Sequence, residues 1–140
     1  EGARQYGSRW NNAGYPVVYT SGHISLAVLE ILVNANDPFT PFDEIQQSYL
    51  LIPAEFENDL VETIPAADLS DGWDSIPAGP ETKELGDNWF LEARSAVLCV
   101  PSVVIPEEPN YLINPNHPDF AKIAIADPRP LRIDPRLQRS

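Results

Sequence analysis

Cysteine is almost missing from this chain: Cys99 stands alone among 140 residues. A lone thiol excludes an intramolecular disulfide, no Cys/His cluster has zinc-ligand spacing, and a reducing compartment is expected. Histidine is nearly as scarce, with only His23 and His117, both near turns. His117, between Asn116 and Pro118, is read as structural, and nothing supports the spacing of a Ser-His-Asp hydrolase. The chain also lacks a Walker loop, GxGxxG, HExxH and GxSxG. No apolar run approaches the ~20 residues needed to cross a bilayer, and the start shows no basic segment followed by an apolar one. A soluble, cytoplasmic protein without a membrane partner is expected.

Clustered positive charge is lacking as well. The formal net charge is -12, with 21 acidic and 9 basic side chains. Residues 1–36 hold two acids and two bases, residues 37–100 hold fourteen acids against Lys83 and Arg94, and residues 101–140 hold five of each. The excess lies in the middle third. A nucleic-acid backbone needs clustered Lys and Arg, so direct nucleic-acid binding is excluded. The acidic stretch is read as a solvated surface, with a docking face for a basic partner as the sharper alternative. Arg129, Arg132, Arg136 and Arg139 form a small basic tail that pairs with that face or stays free.

What the chain has in excess is proline, 15 residues, about twice average usage. The prolines punctuate loops and strand ends between apolar runs. With no internal repeat and no low-complexity linker, residues 1–140 are read as one domain. The chain opens on Glu1 and not Met, so a leading strand is expected upstream.

Residues 1–16 are rich in turn formers, which puts Arg9 and Trp10 on a loop. Val17-Val18-Tyr19-Thr20 reads as a short strand with Tyr19 and Val17 on one face. Thr20 or Ser21 then suits the cap of a helix over about residues 22–35. On a helical wheel, Ile24, Leu26, Val28, Leu29, Ile31, Leu32 and Val33 span an arc of roughly 220°, while His23, Ala27, Glu30 and Asn34 share the narrow remaining side. That predicts a mostly buried helix open along one strip, which either faces water or lines a cleft. Tyr19 arriving from the preceding strand favours the cleft, and Arg9 is expected to line it too.

Beyond the helix, residues 36–47 are loop-like, Tyr49–Ile52 a strand ended by Pro53, and Leu60–Ile64 a weaker strand. Residues 65–80 are too rich in Asp, Gly and Pro to be regular, with Trp73 pinning them to the body. A helix is predicted around 81–94, although Gly86 weakens it. Ala96–Pro106 is the strongest strand signal, a continuous apolar run that must bend at Pro101-Ser102. A hydroxyl at that bend serves a backbone partner or a ligand. Asn110–Asp119 reads as a tight polar loop, Lys122–Ala126 as a strand and Leu131–Asp134 as a last short one. The sum is α+β, a single compact domain with a mixed or split sheet.

Several blocks resemble one family. Gly7-Ser8-Arg9-Trp10-Asn11, Val17-Val18-Tyr19-Thr20-Ser21, Ala27-Val28-Leu29-Glu30, Leu85-Gly86-Asp87-Asn88-Trp89, Val100-Pro101-Ser102-Val103-Val104-Ile105-Pro106, Asn110–Phe120 and Asp134-Pro135-Arg136-Leu137 look like successive blocks of the RES domain. Its naming Arg, Glu and Ser map to Arg9, Glu30 and Ser102; Ser8 stands where a second glycine is usual. The resemblance implies a core similar to ADP-ribosyltransferases and the toxin of a bacterial toxin–antitoxin pair that degrades NAD+ by hydrolysis or phosphorolysis. Some relatives transfer ADP-ribose to a protein instead. The implied partners are NAD+ and a helix-turn-helix antitoxin of the Xre type whose C-terminal end blocks the site; a homodimer is left open. No metal and no cofactor is implied, with NAD+ as substrate and inorganic phosphate as an optional co-substrate.

The residue chemistry agrees. Nicotinamide is cationic in NAD+ and leaves neutral, so the two carboxyl groups of a glycosidase reduce to one, Glu30, set against the ribosyl cation. Arg9 suits the pyrophosphate. Tyr19 offers a ring and a phenol to nicotinamide or ribose. Ser102 serves the carboxamide, a phosphate or only its backbone. Trp10, Asn11 and Ser21 are further substrate-binding candidates, each with a structural alternative: core, turn residue and helix cap. A non-enzymatic acidic interaction module, with Arg9 and Glu30 as a buried pair, is the remaining reading.

Overall fold

A computed structural model describes residues 7–34 and 49–137. The expected loop over 36–47, the first part of the turn-rich start and Arg139 lie outside the described residues.

The centre is a four-stranded sheet in the order β1-β6-β5-β4, built from β1 (Val18–Ser21), β6 (Pro109–Ile113), β5 (Val97–Pro101) and β4 (Val61–Thr63). β6 pairs antiparallel with β1 and β5, and β4 runs parallel to β5. Parallel neighbours need a crossover; here it contains the irregular stretch after β4 and helix α2 (Pro80–Leu91). Helix α1 (Ile24–Asn34) follows β1 directly. Two small antiparallel ribbons complete the fold, β2 (Leu50–Leu51) with β8 (Arg129–Pro130) and β3 (Ala54–Glu55) with β7 (Ala124–Ile125). The expected mixed α+β domain is what forms.

The sheet is buried on both faces because its central strands are apolar without alternation. Leu98, Val100 and Leu112 pack with Trp10, Val17 and Trp89 on one side. Val97 and Ile113 pack with Leu60, Ala96 and Ile123 on the other. Trp73 docks on the first cluster, 6.4 Å ring to ring from Trp10, and so pins the 65–80 excursion as expected.

Four expectations about elements are corrected. Residues 110–113 are not loop but all of β6 after Pro109, because Tyr111-Leu112-Ile113 finds a partner on each side. The apolar run from Ala96 stops being strand at Pro101, opposite Pro109, where neither residue has an N–H to extend the ladder. Residues 103–105 instead turn, closed by Ser102 N–H to Glu108 O and Glu108 N–H to Ile105 O, both 2.9 Å. Helix α1 is only partly covered: Leu26 is fully buried, but Ile24, Leu29 and Val33 are 51%, 40% and 48% exposed. Its inner contacts come from Leu131 and Ile133 against Val28, Ile31 and Leu32, on one side of the helix. Finally, the last strand is Arg129–Pro130, while Leu131 and Ile133 are buried just beyond it.

The predicted second helix is present, shifted to Pro80–Leu91, with Pro at its first turn and Gly79 as cap. Gly86 is part of how this helix packs. An added Cβ would lie 1.7 Å from the Trp10 carbonyl oxygen, so only glycine lets α2 touch the Arg9–Asn12 loop. The helix grips that loop on both sides of this contact. Thr82 Oγ1 donates to Arg9 O at 2.7 Å. Asp87 accepts from Asn12 N–H at 2.9 Å and from Asn12 Nδ2 at 2.6 Å. His117 is structural as expected: Nδ1 accepts from Asp119 N–H and Nε2 faces Ala93 O, each at 3.0 Å.

Candidate active site

Register places the site. β1 and β6 pair Ser21 with Asn110, and β5 and β6 pair Val100 with Asn110, so Ser21, Asn110 and the residues just past Pro101 converge at one end of the sheet. Helix α1 returns over this end and delivers Glu30. The carboxylate receives three donors: Ser21 Oγ on Oε2 at 2.8 Å, and Ser102 Oγ and Asn110 Nδ2 on Oε1 at 2.8 and 2.9 Å.

Ser102 is fully buried, and its hydroxyl is oriented before it meets Glu30. Oγ accepts from the Val104 and Ile105 amides at 3.1 and 3.4 Å, leaving its hydrogen for Glu30. Of the two options left open for this serine, the backbone partner is the one present, and its hydrogen goes to a partner that neither option named, the Glu30 carboxylate. It reaches the cavity through Glu30.

The cavity beside Glu30 has a volume of about 400 Å³, within the range of small-molecule sites. Its described walls include Tyr19, Thr20 and Ser21 of β1, Ala27, Glu30 and Ile31 of α1, Tyr49 and Asn110. The helical strip therefore lines a cleft: Ala27, Glu30 and Ile31 share a face at i, i+3 and i+4. His23, expected on the same strip, is exposed and is not among the described walls.

Tyr19 faces the cavity and also packs on the core. Its hydroxyl donates to Asn11 Oδ1 at 2.5 Å. Burial pushes the phenol up to about 12, opposed by its bonds to Ser8 and Trp10 and assisted by the Asp87 charge. The phenol is therefore neutral at physiological pH and is no base there. The sign for stability follows. An unfolded phenol ionises near 10, so as pH rises from 10 to about 12 the unfolded state loses protons that the folded state keeps. Wild type should lose roughly 2–3 kcal/mol relative to Tyr19→Phe over that window. Parallel urea titrations of the two proteins measure it; equal losses would remove the burial argument.

The other candidates are placed as follows. Trp10 is 3% exposed and belongs to the core, and Asn11 is fully buried. Asn11 accepts from Tyr19 and from Ser8 Oγ at 2.9 Å, tying the Gly7–Asn11 loop to β1. Neither is among the described cavity walls. Ser21 is in contact with Glu30, so its hydroxyl does more than sit before a helix. Arg9 is the departure from the expected cleft. Its Nη1 donates to Trp73 O and Ser75 O, both at 2.9 Å, and among the described residues no ion pair joins it to Glu30. Burial lowers its basicity and the Asp74 charge opposes this. The carbonyls of the 65–80 excursion come from a distant part of the chain, so no local pattern announced them.

Asn110, Thr20, Ile31 and Tyr49 are cavity residues that pattern reading missed. Asn110 had a signal: a lone amide directly ahead of the apolar Tyr111-Leu112-Ile113, in a stretch whose asparagines and prolines read as loop. Among the described residues no group of three or more His, Cys, Asp or Glu could hold a metal ion, and no helix is long and apolar enough to cross a membrane.

A mixed sheet whose end holds one carboxylate, fixed by two hydroxyls and an amide beside an open cavity, defines a carboxylate-centred α+β site. Residues 1–134 match the family model described as the RES domain, and the chain belongs to that family. It is 37% identical to the "Prs ADP-ribosylating toxin" of Sphingobium sp. (strain YBL2), over 99% of this chain and 84% of that protein. It is 36% identical to the "Toxin Res" of Photorhabdus laumondii, over 86% and 74% of the two chains. A chain in the crystal structure of the M. tuberculosis MbcT-MbcA toxin-antitoxin complex has the same fold, with a TM-score of 0.71 at 16% identity, covering 94% of this chain and 75% of that one.

Proposed function

We propose that the protein is the toxin of a bacterial toxin–antitoxin pair that acts in the cytoplasm by consuming NAD+, and that Glu30 is its catalytic carboxylate. The observation that carries this reading is the single carboxylate held by Ser21, Ser102 and Asn110 at the wall of an open cavity. In the reaction the bond between ribose C1′ and the nicotinamide nitrogen breaks, and its electron pair returns to the ring, which leaves neutral. The cationic ribosyl group is stabilised by the Glu30 carboxylate. An acceptor oxygen then bonds C1′: a water passes its proton to the solvent, and a phosphate dianion bonds through an oxygen that carries none. Water makes the enzyme a glycohydrolase, and inorganic phosphate makes it a phosphorylase. The ring of Tyr19 faces the ligand in either case. Arg9, whose Nη1 is seated on the Trp73 and Ser75 carbonyls, is the proposed contact for the pyrophosphate. No cofactor is needed beyond the substrate. An Xre-type antitoxin is the proposed protein partner.

A second acceptor has its own support: the Sphingobium relative is named as an ADP-ribosylating toxin. In that reading a protein side chain takes the ribosyl group. Incubation of the purified protein with labelled NAD+, with and without phosphate and then with cell lysate, separates the three. Free ADP-ribose marks hydrolysis, a phosphate requirement marks phosphorolysis, and label on a protein band marks transfer. Intact NAD+ in all three would overturn the proposal and leave the acidic interaction module as the better reading.

A further inference from the structure

Asn110 is the one amide among the three side chains that hold Glu30. It sits in the strand at the middle of the fold, level with Ser21 on one side and Val100 on the other. Asn is depleted in strands, and nothing in the adjacent apolar run calls for an amide there. Yet its Nδ2 donates to Glu30 Oε1 at 2.9 Å and lies 3.2 Å from Ser21 Oγ. Facing a carboxylate oxygen, an amide can only present its NH2.

We infer that Asn110 is a positioning residue for NAD+ cleavage, acting through Glu30: it saturates Oε1 and steadies Ser21, so that Oε2 carries the charge presented to the ribosyl group. This rests on the function proposed above. The argument is one of capacity. A carboxylate offers about two acceptor sites per oxygen. Oε1 already takes two donors, Ser102 and Asn110, each anchored independently, the serine by two backbone amides and the asparagine by β6. Oε2 takes Ser21. The oxygen with capacity to spare is therefore Oε2. An amide fits this task because it donates without adding charge. A carboxyl of the same shape donates only while it keeps its proton.

That difference supplies the test. In Asn110→Asp the introduced carboxyl and Glu30 lie close enough to share a proton. At about pH 5.5 the protonated carboxyl donates as the amide did, and kcat should stay within about threefold of wild type. By about pH 8.5 the two charges repel, and the variant-to-wild-type ratio should fall about 100-fold. Taking the ratio cancels effects common to both proteins; besides Glu30, the ionisable side chains on the described cavity wall are Tyr19 and Tyr49. Asn110→Ala should lose about 10- to 100-fold in kcat at every pH, with little change in KM, while a melting curve checks that it folds. A ratio that does not change with pH, or wild-type kcat in Asn110→Ala, overturns the inference. Wild-type protein inert toward NAD+ would instead overturn the proposed function. Crystal structures of wild type and Asn110→Ala then decide the positioning role: a Glu30 carboxylate unmoved against Ser21 and Ser102 in the variant rejects it, and a displaced one upholds it.

Discussion

Glu30→Gln is expected to abolish most NAD+ turnover while leaving the fold intact. In the proposed reaction the substitution removes the charge set against the ribosyl cation, which should cost at least about 3 kcal/mol of transition-state stabilisation, more than a hundredfold in kcat. Geometry explains why the fold survives. The new amide oxygen can take the place of Oε1 and still accept from Ser102 and Asn110, while the amide NH2 takes the place of Oε2 and donates to a rotated Ser21 hydroxyl. No buried group is orphaned. Turnover measured beside a urea melt tests both halves: a variant with wild-type rate places the chemistry elsewhere, and one that unfolds early shows the carboxylate to be structural.

Gly86→Ala is the second large effect, and its sign opposes local propensity. Alanine normally favours a helix interior by about 1 kcal/mol over glycine. Here the added methyl would sit 1.7 Å from the Trp10 carbonyl oxygen, a backbone atom that cannot swing aside. Relief requires α2 and the Arg9–Asn12 loop to separate, breaking into the bonds from Thr82 and to Asp87. Overpacking of this kind costs about 3 kcal/mol, so the clash wins. The expected result is a lowered urea midpoint together with lost activity, since the same loop holds Asn11, the partner of Tyr19. A midpoint at or above wild type would mean that the loop is not seated on the helix.

Much of this architecture could be read locally. The β1–α1 unit, the irregular stretch after β4, the second helix and the strand from Val97 all follow from periodicity, turn residues and apolar runs, which act over a few positions. Glu30 was legible for the same reason, as the one charge in an apolar helix. The failures share a cause too. Residues 110–113 carry Asn and Tyr beside Pro109 and read as loop, but strand pairing on both sides overrode that preference. The helical arc predicted deeper burial for α1 than one-sided packing gives. Gly86 looked like a weakness in its helix and is the point of closest approach to Trp10.

The amino-acid sequence by itself determined which residue types were available for chemistry: a lone carboxylate on an apolar helix, a tyrosine on the strand before it and a serine at a proline-broken run. Only the tertiary structure decided which of them meet. Pairing of β1 and β5 to the same central strand brings Ser21, Asn110 and Ser102 from three segments onto Glu30, and the loop carbonyls of Trp73 and Ser75 hold Arg9 elsewhere. These contacts span 64 to 80 residues of chain in the cases of Arg9, Ser102 and Asn110. Side-chain periodicity carries no information at that range, because register between distant strands is chosen by the shared burial of the whole sheet and not by any one segment.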